Sequence, residues 1–201
     1  MTEDIDIQLR IVLIGSSWEN RSDLLFKYCD DKPRKSHLSN LAFDCKTKRI
    51  IVNNIRIDLK ILNPTNPERY RNISSDLFTC NNGILFLYDI TDMESFEKCK
   101  DWISEQEMDA PKVKRIIVGV NCHLEIEREV SKEMLNEYCS QNNIKGIEVS
   151  SKNGINVSEC FEMLVKEIIE NQSKEELIKK YSGNKPVEND LSKNKKKCII
   201  I

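Results

Sequence analysis

Sixteen residues near the start of the chain, Arg10 to Leu25, carry a pattern suited to holding phosphate. An apolar run from Ile11 to Ile14 meets Gly15, four residues follow, and Asn20-Arg21-Ser22 opens an amphipathic stretch. This is the outline of G-x-x-x-x-G-K-[ST], in which backbone N–H groups and a lysine surround phosphates at a helix N-terminus. Its chemistry is altered at two positions. Asn20 stands at the second glycine and brings a Cβ and an amide where backbone must approach phosphate closely. Asparagine nevertheless tolerates left-handed geometry better than most residues. Arg21 stands at the lysine; it keeps the charge but replaces a compact ammonium with a planar fork. Ser22 retains the hydroxyl of the pattern, and Trp18 adds bulk inside the loop. The expected outcome is a nucleotide site that binds weakly or not at all.

A second chemical signal closes the chain. Cys198-Ile199-Ile200-Ile201 fits C-a-a-X, the signal for cysteine prenylation. One lipid chain holds a protein only marginally on a bilayer. Lys193, Lys195, Lys196 and Lys197 supply a second attraction, each worth about 1 kcal/mol near anionic lipid. The other cysteines carry less. None of the eight forms C-x-x-C, and Cys122-His123 has no second ligand pair at suitable spacing. Reduced cytosolic thiols are the reading that fits.

The elements that must position these residues follow from the apolar pattern. Strands are predicted near 8–14, 43–53, 54–62, 83–89, 114–120 and 145–149. Helices are predicted at 21–30, 69–79, 94–108, 131–143 and 156–171, the last running on through Lys180. Asn53-Asn54 between two alternating runs predicts a tight hairpin, so the second and third strands are antiparallel. The remaining strands are separated by helices, which requires right-handed crossovers and a mainly parallel sheet. Gly83 to Tyr88 and Ile116 to Val120 are continuous apolar runs, as strands covered on both faces should be. The expected fold is therefore α/β: a doubly wound, mainly parallel six-stranded sheet with one antiparallel edge hairpin. In such sheets ligands sit beyond the carboxyl ends of the strands, and the phosphate-loop pattern falls just after one.

Composition agrees with one soluble domain. Hydrophobic residues make up 39% and charged residues 32% of the 201. The net charge of −2 is uneven: residues 172–201 hold eight lysines against four acidic residues, which leaves −6 on the first 171. An acidic body argues against nucleic acid as a partner. No run is long enough to span a membrane. The first residues lack the regions of a signal peptide, and Thr2 argues against N-myristoylation. The expected division is a body at 1–171, a flexible basic tail at 172–197 and the prenylation signal at 198–201.

Residues 9–171 resemble the Rab-type small GTPases of the Ras superfamily, with the P-loop small-GTPase fold. The most specific stretch is Tyr88-Asp89-Ile90-Thr91-Asp92-Met93-Glu94-Ser95-Phe96, followed by Trp102, which reads as a core anchor. Glu68-Arg69-Tyr70-Arg71-Asn72-Ile73 is similar to the segment after the second switch, and Leu41-Ala42-Phe43-Asp44-Cys45 to an effector-region motif. The resemblance implies GTP or GDP with magnesium as cofactors. It implies nucleotide contacts at Gly15, Ser17, Asn20, Arg21, Ser22, Asp23, Asn63, Asn66, Asn121, His123, Ser150, Ser151 and Lys152, and metal contacts at Ser22 and Asn40.

Most of these positions depart from the family. Asn40 replaces the first-switch threonine. Asp-x-x-Gly-Gln becomes Asn63-Pro64-Thr65-Asn66-Pro67, which removes a negative charge, a glycine and the glutamine that orients water. No residue is therefore expected to be catalytic. The two prolines fix their own φ and push Asn63 and Asn66 toward extended geometry, so this segment is expected to keep one conformation whatever the ligand. The base-reading motif Asn-Lys-x-Asp becomes Val120-Asn121-Cys122-His123, and a neutral histidine offers one acceptor in place of a carboxylate. Ser150-Ser151-Lys152 stays close to the family's Ser-Ala-Lys, and His37 reads as a surface loop residue. Losing three or four charged hydrogen bonds costs on the order of 5–10 kcal/mol, or roughly four to seven decades of affinity.

The leading expectation is a membrane-tethered pseudo-GTPase that binds trafficking effectors through Asn40 to Cys45 and Glu68 to Asp76. It would be a substrate of a prenyltransferase, seated on the cytoplasmic face of an anionic membrane, with a soluble cytosolic pool. The alternative is an atypical Rab GTPase that still binds GTP or GDP and hydrolyses slowly with a partner.

Overall fold

The computed structural model describes residues 5–31, 43–65 and 78–181. Six strands form one sheet: β1 (Ile7–Gly15), β2 (Phe43–Val52), β3 (Ile55–Pro64), β4 (Gly83–Asp89), β5 (Lys114–Val120) and β6 (Lys145–Glu148). Their order across the sheet is β2-β3-β1-β4-β5-β6. Only β2 and β3 pair antiparallel; the pairs β1–β3, β1–β4, β4–β5 and β5–β6 are parallel. The hairpin turn has Asn53 at φ 50° and Asn54 at φ 60°. Two consecutive left-handed residues define the turn whose twist matches the strands, and asparagine accepts that geometry.

Among the described residues five α-helices cover the sheet: α1 (Trp18–Asp30), α2 (Met93–Asp109), α3 (Lys132–Asn142), α4 (Val157–Ile169) and α5 (Lys174–Tyr181). One core lies between the sheet and α1, α4 and α5; the other lies under α2 and α3. The strand patterns explain the layering. All of β4 except Asp89 is buried, since helices cover both faces there. By contrast β3 alternates buried and partly exposed, with one face covered over most of its length. On α4 the buried residues Val157, Cys160, Phe161, Leu164, Val165 and Ile168 recur at helical spacing. Phe161 stacks on Tyr28 of α1 with ring centroids 3.9 Å apart. Trp102 is 4% exposed and meets Phe78 edge-on, the anchoring role expected of it.

The observed boundaries differ from expectation in two places that matter. First, α1 begins at Trp18, not at residue 21. Second, the last helix does not run through: α4 stops at Ile169, Asn171 turns left-handed at φ 59°, and α5 starts afresh at Lys174. Leu177 and Tyr181 of α5 are buried in the α1–α4 core. Packed structure therefore continues past residue 171, the boundary expected from composition, because α5 pairs its lysines with two apolar side chains at i, i+4. Lys174 Nζ lies 3.0 Å from Asp6 and 3.5 Å from the Asn54 carbonyl, which places the start of α5 at the end of the sheet opposite the phosphate-loop pattern. Among the described residues no helix is long and apolar enough to cross a membrane. The predicted helix at 69–79 lies outside the described residues apart from its last two positions.

Candidate functional site

Five strand-end segments meet at the carboxyl edge of the sheet: Gly15 to Ser17 after β1, Asn63 to Thr65 at the end of β3, Asp89 after β4, Asn121 to His123 after β5, and Ser150 to Lys152 after β6. Gly15, at φ 88°, lies so close to β4 that a Cβ would collide with the Leu87 carbonyl oxygen. Its requirement for glycine thus comes from strand packing. After it the chain makes only two loop residues. Ser16 turns left-handed at φ 37°, and Ser17 caps α1 by accepting the Asn20 N–H at 3.1 Å. The Arg21 N–H donates to the Ser17 carbonyl at 3.2 Å. A phosphate cradle over these positions would need successive N–H groups turned inward. Here Asn20 and Arg21 spend theirs on a helix cap. The physical cause is local: Ser17 is a strong capping residue, and nothing between Trp18 and Arg21 resists helix.

The Arg21 side chain is 1% exposed. Its Nε donates to Asn63 Oδ1 at 2.9 Å, its Nη1 to the carbonyls of Ser16 (2.7 Å) and Gly15, and its Nη2 to the Pro64 carbonyl at 2.8 Å. Burial pulls the guanidinium down to about 10, and it stays charged at neutral pH. Because arginine only donates, the Asn63 oxygen must face it and the amide nitrogen must face away. That nitrogen donates to Ser22 Oγ at 2.9 Å, and Ser22 Oγ also lies 3.3 Å from Asp44 Oδ2. Ser22 and Asn63 are both fully buried.

Asn20 faces the other way. Its Nδ2 donates to Ser16 Oγ at 3.0 Å and to Asp89 Oδ2 at 2.9 Å. Asn121, left-handed at φ 63°, donates from Nδ2 to the same Asp89 oxygen at 2.7 Å and to Asn20 Oδ1 at 3.3 Å. The expected phosphate and base segments are thus tied to each other through a carboxylate. His123 Nδ1 lies 3.0 Å from Ser150 Oγ, which also accepts the Asn153 N–H at 3.1 Å. A neutral imidazole so engaged retains at most one acceptor. The Arg128 fork grips both Glu148 oxygens at 2.6 and 2.8 Å and fixes the segment after His123 against β6; Glu148 and Glu125 together hold it firmly charged.

Of the other expected contacts, Asp23 is exposed on α1, and Ser151 and Lys152 lie in the turn after β6, Lys152 exposed. Asn40, Asn66, Cys198 and the segment Glu68 to Asp76 lie outside the described residues. Several residues of the network carried no separate signal in the sequence. Asp89 and Asp44 reach the site through partners far along the chain, Asn20 and Asn121 for the first and Ser22 for the second. Ser95 is similar: it accepts the Asp89 N–H at 2.9 Å and closes the β4–α2 turn. Beside the loop a cleft of about 340 Å³ opens on the α2 side, lined by Ser17, Trp18, Thr65, Glu94, Lys98 and Trp102. No residue of the expected base-reading segments lines it.

A doubly wound sheet of this order, with a glycine-first loop entering α1 and the motif segments gathered past its carboxyl edge, defines the P-loop small-GTPase class of α/β proteins. Comparison places the chain within it. The Ras family model matches residues 10–170. The chain is similar to Rab-13 of Bos taurus, 28% identical over 205 residues that span all of both proteins. It is similar to the GTP-binding protein ypt2 of Schizosaccharomyces pombe, 33% identical over 83% of this chain and 84% of that one. Rab-1D of Dictyostelium discoideum is 33% identical over 98% and 95% of the two chains. The chain belongs to the Ras family, as a Rab-type small GTPase.

Members of this family bind GTP or GDP with magnesium. The residues here do not fit that metal. A magnesium ion needs oxygen acceptors at octahedral spacing, whereas Ser22 Oγ already receives an amide N–H from Asn63 at 2.9 Å and lies 3.3 Å from the Asp44 carboxylate, so the hydroxyl is engaged within the chain on both sides. Asp89 adds negative charge against Asn20 of the loop, which disfavours a phosphate there.

Proposed function

We propose that this chain is a Rab-like pseudo-GTPase: a membrane-tethered interaction protein of vesicle trafficking, with weak or absent GTP binding and no intrinsic hydrolysis. The observation that carries this reading is the start of α1 at Trp18, which turns three residues of the would-be phosphate loop into capped helix. Without that loop, the remaining contacts reduce to single hydrogen bonds. Partner binding then falls to the surface formed by Asn40 to Cys45 and Glu68 to Asp76, of which Asp44 and Cys45 stand on the edge strand β2. Cys198 is the site for a prenyltransferase, and the lysines beside it favour an anionic cytoplasmic membrane face.

The competing reading, an atypical GTPase that still holds nucleotide, draws on Ser22 and on the near-intact Ser150-Ser151-Lys152. The two are separated by chromatography of whatever nucleotide is released on denaturing freshly purified full-length protein. The expected result is well below one guanine nucleotide per chain; a stoichiometric amount restores the switch.

A further inference from the structure

Arg21 donates to four acceptors drawn from two separate segments. The Gly15 and Ser16 carbonyls lie at the end of β1; Asn63 Oδ1 and the Pro64 carbonyl lie at the end of β3. These groups sit where the sheet ladder runs out, and buried carbonyls there need a partner from outside the sheet. A guanidinium is the one side chain that can serve several at once, because its donors radiate in a fixed plane. Asn63 then carries the connection onward, from its amide nitrogen to Ser22 on α1. The result is a closed ring: the loop after β1, the first turns of α1, and the end of β3, joined by the hydrogen bonds of the Arg21 and Asn63 side chains.

We infer that Arg21 is a resident cation that locks the end of β3 to α1 and the β1 loop, so that Asn63 to Thr65 keeps one conformation with or without nucleotide and magnesium. In an ordinary small GTPase the segment after β3 orders around the last phosphate and loosens when it leaves. Here the ordering group is covalently part of the chain and cannot leave. The lock explains how an altered site stays folded without a ligand; it rests on the pseudo-GTPase reading only for the claim that nothing competes with Arg21. The chemistry also accounts for the residue types. Lysine, with three donors on a point charge, cannot span four acceptors in two segments. Aspartate at position 63 would offer Ser22 no N–H, and would have to compete with Asp44 for the one proton of the Ser22 hydroxyl. Arginine at 21 and asparagine at 63 therefore form a matched pair.

Amide hydrogen exchange on the full-length chain tests this, read over Leu59 to Thr65 for wild type, Arg21→Lys and Arg21→Gln, each with and without magnesium–GDP in large excess. Both variants keep a polar, helix-compatible side chain, so the comparison survives even where Arg21→Ala fails to fold. Selective labelling of arginine side chains adds a direct readout, since a buried, hydrogen-bonded Arg21 Nε–H exchanges slowly. The expected result is unchanged wild-type protection on adding magnesium–GDP, and a loss of roughly tenfold or more in both variants, as for losing at least one charged hydrogen bond. Retained protection in both variants overturns the lock, as does a wild-type stretch that responds to magnesium–GDP. Assay of co-purified nucleotide keeps the two ideas apart. Bound nucleotide together with loosened variants sinks the pseudo-GTPase reading and leaves the lock standing. Empty protein with fully protected variants does the reverse.

Discussion

Arg21 retains the charge of a phosphate-binding lysine and spends its donors on its own chain. A lysine in that place reaches outward to ligand; the arginine turns inward and is consumed by four oxygens of its own chain. Asp89 plays a comparable part on the opposite side of the loop. Besides Asn20 and Asn121 it accepts the Thr91 N–H at 3.0 Å and the Thr91 hydroxyl at 2.8 Å, so one carboxylate joins three strand ends. Replacing it with alanine removes several hydrogen bonds to a charged group. Because the donors are only partly buried and can turn to water, the expected loss of stability is about 2–3 kcal/mol. Urea unfolding of Asp89→Ala measures it. Asp89→Asn should lose less, since an amide still accepts on one side. An alanine variant as stable as wild type would show that water serves these donors as well.

At the scale of elements, caps and joints decide where chemistry can occur. Ser17 starts α1 early, and that single cap converts a loop into helix. At the far end of the sheet, Asp6 binds the β2–β3 hairpin and α5 together. Its carboxylate accepts from the Arg56 N–H (2.9 Å), Nε (3.3 Å) and Nη2 (3.1 Å), and from Lys174 (3.0 Å). Arg56 first, then Lys174, holds the Asp6 carboxyl far below its ordinary 3.8. A carboxyl whose folded pKa is depressed adds stability in full above the unfolded value, and loses it as pH falls below that value toward the folded one. The thermal midpoint of wild type should thus exceed that of Asp6→Asn at pH 7, with the gap closing at a pH below 3.8. A gap that persists unchanged into acid would mean that the neutral amide, not the lost charge, is responsible.

For the whole molecule, the relevant asymmetry is an acidic body of net −6 joined to a stretch of eight lysines against four acids. Anionic lipid repels the first and attracts the second, so membrane contact is expected through the tail with the body held off. On the proposed prenylation of Cys198, one lipid chain would give only marginal affinity, so both signals would be needed. Cys198→Ser should move the protein from the membrane to the cytosolic fraction in cell fractionation. Raising the salt should release part of the wild type, as for any polybasic contact. Membrane retention of the serine variant would assign anchoring to something other than a lipid on Cys198.

Strand positions and directions, the Asn53-Asn54 turn, the two-face burial of β4 and β5, and the gathering of motif segments at one edge were all legible in the sequence. They follow from local periodicity and turn chemistry, which each segment carries by itself. The same holds for the altered nucleotide motifs, because a changed residue type at a motif position is visible without coordinates. The early start of α1 is local and follows from the Ser17 cap, but the direction in which Arg21 and Asn20 point, the role of Asp89 and the docking of α5 were not legible. Those depend on residues 42, 69 and 101 positions apart meeting at hydrogen-bond distance. A donor's choice between ligand, water and a distant carbonyl is decided only when packing brings the carbonyl within reach.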